Sequence, residues 1–431
     1  MNTPRLVYLD SSDWSNLAEA AGNKPFAART RWLDIKRRLL AVRDSRRAEF
    51  RFSQTIVTEA YPTTASHEAS GLRRARAIAE LCGPLCLLES NMLAHAEIRR
   101  LAAGERPPFD RAIALRDDGA WHSDPDELGG TFGTGLMLDA RTMVRDTLKE
   151  DYPVLGKKRR RAVEDILVDG KGRLTGPARE RFLDPTISSE VEATFAARMG
   201  LPPETPGLAI LSRVMAGELP PSDADDWLIG LLRDLPTLFS LAATREQAEQ
   251  MFGRLRVAGR GISGPMGEVA RKLQETIEHI GLDAVKKLHA QKPPLDVRAW
   301  RGRTRDKVLA ALWNEERKRR GDVPRVRGET WFALVNGSPF GSIPTLDTYL
   351  AAGGALMAKS AQVSRYPYKV RASDLGDVLH MSYLPYVDVF RCDGGNAAVA
   401  AAVISELGLG ARLAPTIEES LAIIETESAF R

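Results

Sequence analysis

The chain has 431 residues, 43% hydrophobic and 27% charged, with 61 Lys and Arg against 57 Asp and Glu for a formal net charge of +4. That length supports two or three domains with their own cores, and the composition excludes a disordered or fibrous protein. The three cysteines, Cys82, Cys86 and Cys392, exclude a disulfide framework, and no apolar run long enough to span a membrane is visible, so a reducing cytoplasm is the expected location.

Taken in chain order, Arg5-Leu6-Val7-Tyr8-Leu9-Asp10 reads as a short apolar strand ending on a carboxylate. Asp13 can cap the next helix, which carries Trp14, Leu17 and Ala18 on one face. A basic amphipathic helix over 27–43 follows, with Trp32, Ile35, Leu39 and Leu40 as its stripe. Phe50 to Val57 reads as a strand with Glu59 just beyond it. A helix at 66–81, a strand at 85–88 and a helix carrying Ile98 and Leu101 come next. Strands alternating with helices predict a parallel sheet covered on both faces.

Arg106-Pro107-Pro108 breaks this pattern, and helical periods separated by Gly and Pro take over, clearest at 191–199, 208–215, 227–235 and 269–280. The α/β alternation resumes after Pro344. Thr345 can cap a helix to about Val363, a further helix opens at Asp374, and residues 387–391 read as a strand. A helix at 396–407, a strand at 412–415 and a helix at 417–424 close the chain. Since sequence-adjacent elements usually pack together, the economical organisation is one α/β core in two halves, 1–102 and 344–431, interrupted by an all-helical insertion over 103–343.

In a parallel sheet every strand points the same way, so Asp10 and Asp393 fall on one edge, at carboxyl ends, and Glu59 can reach it. Asp374 and Asp377, three residues apart in a helical first turn, share a face. Carboxylates gathered in this way repel unless a hard cation sits among them, and Mg²⁺ or Mn²⁺ suits an all-oxygen donor set. His380 reads as a hydrogen-bonded packing residue on the face of Asp377, and Asp388 as a polar position where a strand begins.

The order of these segments resembles the PIN-domain nucleases. Leu9-Asp10-Ser11-Ser12 stands for the first motif, Thr58-Glu59 for the second, Asp377-Val378-Leu379-His380 with Asp374 ahead of it for the third, and Val389-Phe390-Arg391-Cys392-Asp393 for the fourth. The resemblance covers the two halves of the core and is silent on the insertion. It implies an α/β/α sandwich around a parallel sheet and Mg²⁺- or Mn²⁺-dependent cleavage of RNA. Asp10, Glu59, Asp377 and Asp393 would be the catalytic, metal-binding carboxylates and Asp374 a fifth ligand, with Ser11 or Ser12 hydrogen-bonding the first acid or a metal-bound water. Where the family often carries Thr shortly before its last acid, this chain has Arg391 and Cys392.

Two basic runs, Lys157 to Arg161 and Arg317-Lys318-Arg319-Arg320, lie in the insertion, the second within a basic stretch over 298–327 in which Trp300 and Trp313 are interleaved. Arginine interleaved with indole suits phosphates and stacked single-stranded bases. Lys369 and Arg371, just ahead of Asp374, are placed to hold a substrate phosphate or to balance the acids. Gly129 to Gly135 lacks the Lys-Ser/Thr of a phosphate loop and reads as a turn. The expectation is a metal-dependent endoribonuclease whose insertion shapes access for RNA or for a protein partner. The rivals are a non-catalytic PIN-like module that binds nucleic acid or protein, and a structure-specific DNA nuclease.

Overall fold

A computed structural model describes residues 3–22, 28–61, 67–121, 144–145, 148–149, 154–169, 174–199, 205, 207–241, 283, 296–320, 338–360 and 372–427. Its centre is a four-stranded sheet of β1 (Arg5–Tyr8), β2 (Ala48–Phe50), β5 (Val389–Arg391) and β6 (Arg412–Ala414), in the order β2-β1-β5-β6. Every pairing is parallel, with Val7 opposite both Phe50 and Val389, and Arg391 opposite Ala414. The first strand of the chain thus lies between its nearest neighbour in sequence and one almost four hundred residues away. Leu6, Val7 and Tyr8 are all buried, and successive strand residues point to opposite faces, so both faces of β1 are covered. A mixed α/β fold with a parallel sheet is what the alternating pattern predicted.

The helices agree with the predicted periods, with a few instructive differences. α1 (Ser11–Ala20) is capped by Asp10, whose carboxylate accepts from the Ser12 backbone N–H, while Asp13 at the third position reaches back to the Asp10 N–H. The cap is therefore Asp10 and not Asp13, because a capping box needs acceptors at both positions. α2 (Arg29–Asp44) buries Trp32, Ile35 and Leu39. The segment expected as one strand over 50–57 is instead β2 followed by α3 (Gln54–Ala60). Ser53 accepts from the Ile56 N–H and starts that helix, so the run of β-branched Thr55, Ile56 and Val57 is helical and Glu59 lies inside a helix, not just past a strand. Tertiary burial overrides β propensity here.

α4 (Glu68–Cys82), β3 (Cys86–Leu87), α5 (Ser90–Ala102) and β4 (Leu115–Arg116) follow, with β3 and β4 antiparallel. Cys82 and Cys86 are both buried and form no disulfide, as expected of core cysteines. Arg51, almost fully buried, ties this small sheet to the end of β2. It donates to the carbonyls of Cys86 (3.0 Å) and Arg116 (2.7 Å) and pairs with Glu49 and Asp117.

Among the described residues the remaining α-helices, in chain order, are α6 (Lys157–Leu167), α7 (Gly176–Phe182), α8 (Pro185–Met199), α9 (Ala209–Met215), α10 (Pro221–Arg233), α11 (Leu235–Leu241), α12 (Val297–Arg320), α13 (Pro344–Ser360), α14 (Ala372–Met381), α15 (Gly394–Leu407) and α16 (Ile417–Glu427). α2 and α16 pack together, α16 lies on β5 and β6, and α13 packs against α5, α14 and α15. The predicted helix at 269–280 and the turn at 129–135 fall outside the described residues.

By contacts the chain divides into two compact units. One takes in Met1–Pro62, Ala69–His122 and Gln250–Arg431, and the other Thr63–Glu68 and Ser123–Glu249. The second is built of α6 to α11 around Val144, Leu148, Val168, Leu211 and Val214. The limits of the second unit differ from the 103–343 expected of an insertion. α12 belongs to the first unit, where Leu309 and Leu312 share a cluster with Ile98, Phe109, Ile343 and Leu350. Trp300 packs on that cluster and against Gly353, so its indole is packing material and not a free stacking platform. No described helix is long and apolar enough to cross a membrane.

Candidate functional site

The order β2-β1-β5-β6 reverses direction between β1 and β5: from β1 the chain goes outward to β2, and from β5 outward to β6 on the other side. In open α/β sheets, the crevice beyond the carboxyl ends of strands at such a reversal is where ligands bind. Asp10 follows β1 by two residues and Asp393 follows β5 by two. Each then caps a helix, Asp10 for α1 and Asp393 for α15, where its carboxylate accepts from the Asn396 N–H at 2.9 Å. Both carboxylates are thereby fixed by backbone donors on either side of the reversal point.

Glu59 of α3 and Asp377 of α14 complete the group. Asp377 accepts a 2.6 Å hydrogen bond from the Asn396 side chain. Burial, opposed by His380, and the charges of Glu59, Asp10 and Asp393 push the Asp377 carboxyl up to about 7. Four acids from both ends of the chain are thus near enough to act on one another. Asp374 lies buried one turn before Asp377.

A buried hydrogen-bonded chain runs behind Glu59. Ser53 Oγ and Tyr8 Oη are 2.6 Å apart, Tyr8 Oη and His380 Nδ1 are 2.6 Å apart, and His380 Nε2 donates to Glu59 Oε2 at 3.1 Å. The chain is satisfied in both histidine states: a neutral ring accepts from Tyr8, and an imidazolium donates to it. Burial pulls the His380 pKa down, but Glu59, by charge and hydrogen bond, and then Asp10 and Asp377 outweigh it and hold the ring above its ordinary value. Burial acts to raise Glu59, yet His380 and a hydrogen bond from Ser11 leave that carboxyl below its usual range. The Glu59 carboxylate also rests on the backbone of Gly376, where an added Cβ would overlap Oε1.

On the other side of Asp10 stands Arg391. Its Nε is 2.9 Å from Asp13 Oδ2 and its Nη1 is 3.8 Å from Asp10 Oδ2. Burial, relieved in part by Arg391 and reinforced by Asp10, lifts the Asp13 carboxyl to about 7.

The expected quartet Asp10, Glu59, Asp377 and Asp393 therefore lies close enough for the charges of the other three to act on Asp377. Asp388 does not join it: its carboxylate accepts from the Leu6 N–H (2.7 Å) and from Arg111 (3.0 Å), clamping β5 to β1. His380 is hydrogen-bonded and packed as expected, but its partner is an acid of the site. Tyr8, Ser53, Arg391, Asn396 and Gly376 were not singled out as site residues from sequence. The signals available were a tyrosine in the strand leading to the first acid, an arginine where the fourth motif departs from the family pattern, and a glycine inside a helix.

Lys369 and Arg371 lie outside the described residues. Arg317, Lys318, Arg319 and Arg320 form the last turn of α12, where cations favour the helix dipole, and their side chains are outside the description. Two other basic residues of α12 serve structure: Arg305 is buried against Asp347 at 2.7 Å, and Arg301 pairs with Glu406. Lys157, Lys158, Arg159 and Arg161, at the start of α6, are exposed in the second unit.

Among the described residues no three His, Cys, Asp or Glu side chains converge in a ready-made coordination shell. The acids are taken up by protein donors. Their chemistry still fits a hard divalent cation: the donors are all carboxylate oxygens, and burial, with the charges of Glu59, Asp10 and Asp393 added to it, raises Asp377. No family model, characterised protein or solved structure matches the chain.

Proposed function

We propose that the chain is a metal-dependent endoribonuclease with a PIN-like core, in which Asp10, Glu59, Asp377 and Asp393 hold Mg²⁺ or Mn²⁺ and Asp374 supports them. The observation that carries this reading is the meeting of acids from both chain ends at the point where the strand order reverses. A bound divalent cation would supply Lewis-acid polarisation of a phosphodiester and a water of lowered pKa. The protein's part is positional. Backbone donors fix Asp10 and Asp393, Asn396 orients Asp377, and His380, itself held by Tyr8 and Ser53, orients Glu59. Partners of this kind set ligand geometry and basicity. The basic residues at 157–161, 317–320, Lys369 and Arg371 would serve the RNA backbone, and the helical unit would set access for RNA or for a protein partner.

Asp10→Asn tests the reading cleanly. Asparagine caps a helix about as well as aspartate, so α1 keeps its start while the site loses one charge. Purified protein is offered single-stranded and structured RNA and DNA side by side, with Mg²⁺, with Mn²⁺ and with chelator. Metal-stimulated RNA cleavage lost in Asp10→Asn, with an unchanged melting curve, is the expected result. Equal cleavage by both proteins removes Asp10 from the mechanism, and cleavage of DNA alone establishes the DNA nuclease instead. A binding module without catalysis is favoured by one observation, the engagement of every acid of the quartet by a protein donor, and it would bind RNA in this assay without cutting it.

A further inference from the structure

Arg391 is the unusual feature of this acidic edge. It comes from β5, two residues before Asp393, and its side chain is only 10% exposed. It ion-pairs with Asp13 and faces Asp10, yet Nε and Nη1 make no hydrogen bond, and Asp13 Oδ1 is likewise buried without one. A guanidinium seldom loses its water without gaining aligned acceptors, since its desolvation is costly unless paired charge offsets it. What holds it there is field strength: Asp10 and Asp13 lie in direct reach, and the charges of Asp10 and Asp393 act together on Asp377.

We infer that Arg391 is a built-in cation standing where a second divalent ion would otherwise sit, so that the site takes one metal ion and not two. The inference rests on the metal-site reading above. Two-metal sites need bridging carboxylate charge on both sides of the pair, with ions about 4 Å apart. Here the Asp10–Asp13 side of the group already holds the positive charge of an arginine that cannot give up its proton. The opposite side, formed by Glu59, Asp377 and Asp393 with the free edge of Asp10, keeps its negative excess and takes the single ion. His380 serves the same economy of charge behind Glu59.

The test counts ions and does not need substrate. Mn²⁺ is titrated into the full chain and followed by electron paramagnetic resonance, counting only equivalents that disappear in Asp10→Asn. One equivalent is expected in the wild type. In Arg391→Gln, either a second equivalent or affinity for the first raised by about tenfold or more is expected, since a positive charge has left the neighbourhood of Asp10. Two equivalents in the wild type overturn the inference. So does one equivalent of unchanged or weaker affinity in folded Arg391→Gln. No Mn²⁺ equivalent in the wild type refutes the metal-site reading itself, and this inference with it. If Arg391→Gln does not fold, the wild-type count still decides between one ion and two.

Discussion

Gly376 shows how a single position can set stability and function against each other. It sits inside α14, where alanine would favour the helix by about 1 kcal/mol. The Glu59 carboxylate lies against its backbone in the space a Cβ would fill. Gly376→Ala is therefore expected to leave the melting temperature equal to or above that of wild type while turning Glu59 away from His380 and weakening Mn²⁺ binding by roughly tenfold. Calorimetric titration beside a thermal melt checks both halves, and unchanged Mn²⁺ affinity would show that Glu59 has room to spare. Asp10 and Asp393 were legible, because a carboxylate directly after an apolar strand needs a reason to be there, whereas Glu59 was expected past a strand and stands inside a helix. Their supports were not. His380 meets Glu59 across 321 positions and Asn396 meets Asp377 across 19, and no local period announces either contact.

Among elements, helices with a strong apolar stripe were read from the sequence almost to the residue, as α2 and α15 show. The second of these stops at Gly408, which adopts the left-handed conformation that ends a helix. β2 was the failure: alternation continued past Phe50, while Ser53 capped a helix in the middle of it. The short strand that remains depends on Arg51, whose guanidinium joins β2 to the carbonyls of β3 and β4. Arg51→Met is expected to cost about 3–5 kcal/mol, because the buried Cys86 carbonyl, the part-buried Arg116 carbonyl and the Glu49 carboxylate lose their partner together. Urea denaturation measures it, and a loss below about 1 kcal/mol would mean that water takes over the carbonyls.

At the scale of the molecule, Glu97 fastens the two halves of the core. It accepts from the Thr345 N–H at 3.0 Å, from the Thr345 hydroxyl at 2.5 Å and from Tyr386. Burial lifts its carboxyl to about 8 in spite of these bonds, against 4.5 for the ordinary group. The folded state therefore binds this proton more tightly than the unfolded chain does. The contribution to stability is complete below about pH 4.5 and declines as pH rises through about 8. Asp13 and Asp377, each raised to about 7, act in the same direction, so the comparison must be made with a variant. Glu97→Gln is expected to flatten the fall in melting temperature between pH 5 and pH 8, and an identical slope in the two proteins would remove Glu97 as its source. That the two halves form one sheet could be read from the resumed alternation after Pro344. The division between the compact units could not, since α12 carries the same helical period as its neighbours in sequence and only packing assigns it.

The position of β1 has a consequence for how the protein comes into being on the ribosome. One flank of this strand is completed only by β5, so the nascent chain carries Asp10 for some 20–80 s, at roughly 5–20 residues per second, before Asp393 is even synthesised. A product stalled before β5 lacks Asp393 and the strand that carries it. Closure of the acidic edge is thereby confined to chains that have been synthesised through β5 and Asp393.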